Sequence, residues 1–76
     1  MTEKEAVSLV KKKIPNCSIK ETATVKNGFV ISCTKTVDGE SSFIQPMFVY
    51  GKNRIRGLNE NYAPDKKILN EVYKKK

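Results

Sequence analysis

Histidine is absent from this chain, and acidic residues are scarce: eight Asp and Glu stand against fifteen Lys and Arg in 76 residues. Without His, the chain lacks the side chain that most often moves protons near neutral pH and ligates metals. Catalysis and metal binding are therefore disfavoured, and the formal charge of +7 favours an acidic partner. Glycine is sparse as well. The four Gly are spread singly through turns, which excludes a Gly-rich phosphate-binding loop. The two cysteines, Cys17 and Cys33, do not have the spacing of a metal site, and no His is there to complete one. No apolar run approaches the roughly 20 residues that cross a bilayer. The opening Met1-Thr2-Glu3-Lys4-Glu5 carries acids and is not followed by the apolar stretch of a signal peptide. These absences predict a cytoplasmic, non-enzymatic protein without cofactor, metal or membrane contact.

The remaining composition supports folding. Hydrophobic residues make up 38% of the chain, with three Phe and three Tyr, enough for one small domain over residues 1–73. The charge is uneven. Residues 1–16 hold four Lys and two Glu, residues 17–50 balance at zero, and residues 51–76 hold eight Lys or Arg against three acids, a net +5. Lys74, Lys75 and Lys76 read as a frayed basic tail.

Thr2 and Glu5 fit a capping box, in which hydroxyl and carboxylate each satisfy an orphan N–H of the first turn. Ala6, Leu9, Val10 and Ile14 follow at helical spacing, and Lys11, Lys12 and Lys13 complement the dipole of the last turn. A helix is expected over about residues 3–14, ended by Pro15-Asn16.

The period then changes to two. Ile19, Ala23 and Val25 alternate with Lys20, Thr22, Thr24 and Lys26, and Phe29, Ile31, Cys33 and Val37 continue the odd apolar set beyond Asn27-Gly28. A two-residue Asn27-Gly28 loop would split this set between two faces. A three-residue loop, Lys26-Asn27-Gly28 with Gly28 left-handed, pairs Val25 with Phe29 and Ala23 with Ile31 and keeps every apolar residue on one face. That register also pairs Glu21 with Cys33. It leaves Cys17 about 13 Å from Cys33 at roughly 3.3 Å per residue, beyond the reach of a disulfide.

Asp38-Gly39 marks the next turn. The third strand is expected over residues 42–50, apolar on both faces, with Phe43, Met47 and Val49 on one and Ile44, Phe48 and Tyr50 on the other. Pro46 cannot donate to a ladder and marks an edge or a bulge. After Gly51-Lys52-Asn53, Arg54-Ile55-Arg56 forms a short fourth strand. Residues 57–64 read as loop, and Asp65 as the cap of a final helix carrying Ile68, Leu69, Val72 and Tyr73. The fold class is α+β: an N-terminal helix, a three- to four-stranded antiparallel meander and a C-terminal helix. A helix followed by such a meander is similar to PepSY-like and some bacterial immunity-type domains over about residues 5–56, and the likeness implies no residue role. Asn27-Gly28-Phe29-Val30-Ile31 resembles the Gly-aromatic-Val strand of RNA-recognition domains, although the expected register sends Phe29 and Ile31 into the core.

Two surfaces carry the functional expectations. Phe43, Met47 and Val49 form an apolar face for an unknown protein partner or for a second copy of the chain. The function expected first is therefore a protein-binding or regulatory module. The alternative is nucleic-acid binding through Lys52, Arg54, Arg56, Lys66 and Lys67, with Tyr50 and Tyr62 able to stack on bases. Lys20 or Lys35 beside a cysteine could lower a thiol pKa, but no base is present to complete a nucleophile.

Overall fold

The computed structural model describes residues 2–74. Its elements run α1 (Glu3–Lys13), β1 (Cys17–Val25), β2 (Gly28–Val37), β3 (Glu40–Phe43), β4 (Met47–Tyr50), β5 (Arg54–Gly57) and α2 (Ala63–Lys74). The α+β class and the two terminal helices stand as expected, but the antiparallel sheet has five strands. Strand order is β1-β2-β4-β5, with β3 also paired to β2. Lys74 closes α2, and the rest of the expected basic tail, Lys75 and Lys76, lies outside the described residues.

The start of α1 follows its local chemistry. Thr2 is the N-cap. Its hydroxyl accepts from the Glu5 N–H at 3.2 Å, and the Glu5 carboxylate accepts from the Thr2 N–H at 3.1 Å. Ala6 and Val10 turn inward, fully buried, and Asn16 takes the left-handed conformation (φ 67°) that carries the chain into β1.

The hairpin departs from expectation. The turn is one residue tighter than the odd-apolar pattern demands: Val25 lies opposite Gly28, Thr24 opposite Phe29 and Ala23 opposite Val30. Gly28 is not left-handed. It sits within β2, where its missing side chain lets the Val49 carbonyl of β4 approach; a Cβ there would collide with that oxygen. Farther along, a β-bulge between Ile19 and Glu21 adds one residue to β1 and reverses its faces again, so that Ile19 lies opposite Cys33. The apolar set from Ile19 to Val37 therefore divides. Ile31 belongs to one side of the sheet and Val25 to the other.

That division is possible because both faces are covered. Against α1, Ala6 and Val10 pack on Ile31, Cys33, Met47 and Val49, joined by Cys17 and Ile19. Against α2, Leu69 and Val72 pack with Val25, Val30, Phe48 and Leu58. A one-sided sheet would make a register slip expose its whole apolar set. Here each slip exchanges one buried face for another.

The expected third strand is two strands joined by a bend. Phe43 lies opposite Thr34 and Met47 opposite Ile31, so three residues of this chain segment face two of β2. Ile44 keeps its ladder contact, donating to the Cys33 carbonyl at 3.2 Å. Pro46 has no N–H to offer and takes the irregular position. The Asp38-Gly39 turn is left-handed at both residues (φ 52° and 82°), as a two-residue hairpin turn of matching twist requires.

Candidate binding surfaces

The bend at Pro46 decides where the expected apolar face goes. Met47 and Val49 point towards α1 and are buried, Val49 completely. Phe43 lies before the inserted residue, shares its face with Thr34 on the opposite side, and is 79% exposed. Phe43, Met47 and Val49 therefore form no common surface: α1 covers two of them and the bulge turns the third away.

Phe43 instead borders a groove of about 580 Å³ between α2 and the β3–β4 bend. Ile44, Pro46, Leu58 and Leu69 supply its apolar lining, and Tyr73, 62% exposed, stands on the α2 side. Its frame is held by two hydrogen bonds. Gln45 Nε2 donates to the Leu58 carbonyl at 2.8 Å, and the Leu58 N–H donates to the Pro46 carbonyl at 2.7 Å. Beyond Leu69 and Tyr73 a second hollow of about 460 Å³ continues towards Lys66 and Asn70. The role of Tyr73 was hidden in the sequence, where it reads only as part of an apolar helix face.

The basic residues divide as well. Arg54 and Arg56 share the α2 side of β5, opposite Tyr50 and Phe48. Phe48 and Tyr50 stack, with ring centroids 4.9 Å apart and planes 15° from parallel, and the Arg56 guanidinium lies 5.7 Å from the Phe48 centroid. Arg56 Nη2 also forms an ion pair at 2.6 Å with Asp65 Oδ1. Asp65 is therefore no helix cap. It sits inside the first turn of α2, buried, with Oδ2 accepting from the Asn59 N–H at 2.9 Å. The Arg56 hydrogen bond, then that backbone N–H, hold the Asp65 carboxyl below its ordinary range, and the same bond raises Arg56.

Arg56 is thus committed to the fold. The ion pair draws the start of α2 to β5, and Lys66 and Lys67, both exposed, follow Asp65 directly. Arg54 is exposed farther along β5, and Lys52 is exposed in the β4–β5 turn.

Both cysteines are free thiols on the α1 side of the sheet. Cys33 is fully buried, and burial first, then the adjacent Cys17, push its thiol up to about 11. This is opposite in sign to the lysine-activated thiol considered from the sequence. Among the described residues, no three His, Cys, Asp or Glu gather where a metal ion could be held, and no helix is long and apolar enough to cross a membrane. Comparison of the chain with family models, curated proteins and solved structures finds no match.

Proposed function

We propose that the protein is a non-enzymatic binding module that receives a partner protein in the groove between α2 and the β3–β4 bend. The observation that carries this reading is the outward Phe43, which lines with Tyr73 a hollow of mixed character, where Ile44, Leu58 and Leu69 meet Asn59, Glu60 and Asn61. A large aromatic at 79% exposure contributes little to the fold, and aromatics beside pockets are the usual anchors of protein interfaces. The far hollow holds one base and one acid, Lys66 and Glu60, beside Asn61 and Asn70, which suits a polar segment with an apolar anchor residue.

Affinity capture with wild type, Phe43→Ser and Tyr73→Ser tests the reading. Both variants are expected to fold normally and to lose the same captured protein. If all three chains capture the same set, the groove is not the binding site. Sedimentation separates a foreign partner from a second copy: a dimer dissolved by Phe43→Ser assigns the groove to self-association.

A second reading rests on Lys66 and Lys67. They lie exposed after the first turn of α2, next to a strand that exposes Arg54. Exposed adjacent cations are available to a polyanion such as nucleic acid. Gel shifts at low salt with wild type and Lys66→Gln/Lys67→Gln test this. Binding that weakens steeply with salt and with the double substitution supports it; no shift at low salt removes it.

A further inference from the structure

The bulge in β1 places the two cysteines together. With Cys17 opposite Lys35 and Ile19 opposite Cys33, Cys17 and Cys33 are diagonal neighbours on adjacent strands, and both pack on the α1 side of the sheet. The tighter turn and the bulge each bring Cys17 one residue nearer than the simple alternating pattern does. Diagonal Cα atoms in an antiparallel pair lie about 7–8 Å apart, with Cβ atoms nearer, and disulfides close at up to about 7 Å. The bulge increases local twist, and β1 is an edge strand in the sheet order, so its first residues can shift the small remaining distance.

We propose that Cys17 and Cys33 are an oxidisable pair, converted by a small disulfide oxidant such as oxidised glutathione into a cross-strand bond that staples β1 to β2 beneath α1. Cys17, the more exposed thiol, attacks the oxidant. One glutathione leaves with the proton that Cys17 gives up, and a mixed disulfide remains. Cys33 then loses its proton and attacks the Cys17 sulfur, expelling the second glutathione, which takes that proton. Two thiols are oxidised, one glutathione disulfide is reduced, and no other reactant is needed. The raised Cys33 thiol makes it the resolving partner, because little of it is thiolate until the intramolecular step.

The full chain incubated with oxidised glutathione is expected to lose both free thiols and to end two hydrogens lighter, without retained glutathione. Trypsin digestion without reductant should join residues 14–20, which hold Cys17, to residues 27–35, which hold Cys33. Cys33→Ala should stop at a stable glutathione adduct, and Cys17→Ser should not react. The wild-type digest needs neither variant to fold. A persistent glutathione adduct on wild-type Cys17, a disulfide between two chains, or unchanged thiols would each overturn the proposal.

Discussion

Arg56 of β5 and Asp65 of α2 meet at 2.6 Å, and through this contact the last helix is fixed to the outermost strand. Asp65 also accepts from the Asn59 N–H, so one carboxylate holds both the helix and the loop that precedes it. Removing Asp65 leaves a backbone donor and a guanidinium without their partner. Asp65→Ala is therefore expected to lower the thermal midpoint more than Arg56→Ala, read by circular dichroism. Equal or reversed losses would show that the loop bond is unimportant.

The same pair sets an acid limb. The folded Asp65 carboxyl lies below its ordinary value of 3.8, so its contribution is full above that value and is lost as pH falls through the folded one. Stability measured from pH 6 downward should fall more steeply in wild type than in Asp65→Asn, which has no proton to gain. Parallel curves would exclude Asp65 as the source.

Gly28 and Gly39 should respond differently to alanine. A Cβ at Gly28 meets the Val49 carbonyl and must part β2 from β4, an overpacking cost of about 1–3 kcal/mol or more. A Cβ at Gly39 meets nothing within 4 Å, and only its φ of 82° opposes the change, at about 1 kcal/mol. Urea titration of the two variants gives the comparison. Gly28→Ala at or below the Gly39→Ala cost would disprove the close strand approach.

Thr2→Ala removes the side-chain half of the capping box, the hydroxyl that accepts from the Glu5 N–H, and should cost about 1 kcal/mol. Thr2→Asn should retain most of that stability. The same loss in both would mean that the cap contributes through something other than its side-chain acceptor.

Val10 and Phe43 separate core from surface. Val10→Ala opens space under α1 and should cost about 2 kcal/mol. Phe43→Ser should leave the denaturation midpoint within about 0.5 kcal/mol of wild type, because the ring is 79% exposed. A large loss at Phe43 would mean that the ring supports the fold and has no need of a partner.

Local chemistry was legible where a few adjacent residues decide the outcome. Thr2 with Glu5 marked the start of α1, Asp38-Gly39 the second hairpin turn, and Pro46 the bend in the third strand. Register was not legible, because apolar alternation by itself reads as a sheet with one buried face. Val30, flanked by Phe29 and Ile31, carried the missing signal: three consecutive apolar residues mark a strand covered on both sides. The bulge at Lys20 has no turn residue to announce it, and together with the tighter turn it moves Cys17 to the diagonal of Cys33. The groove was half legible. Phe43 was singled out, but its partner Tyr73 becomes visible only when α2 is laid across the sheet. The basic cluster lost Arg56 to an acid nine residues away, a pairing that residue spacing does not reveal.

The middle strands have a layer of side chains above and another below. The backbone amides of Val30, Ile31, Phe48 and Val49 are shielded from solvent by both. Deuterium should reach them only when the whole molecule opens, whereas β3, exposed at every residue, should label first. The rim beside the groove would thus be the most pliant part of an otherwise clamped sheet.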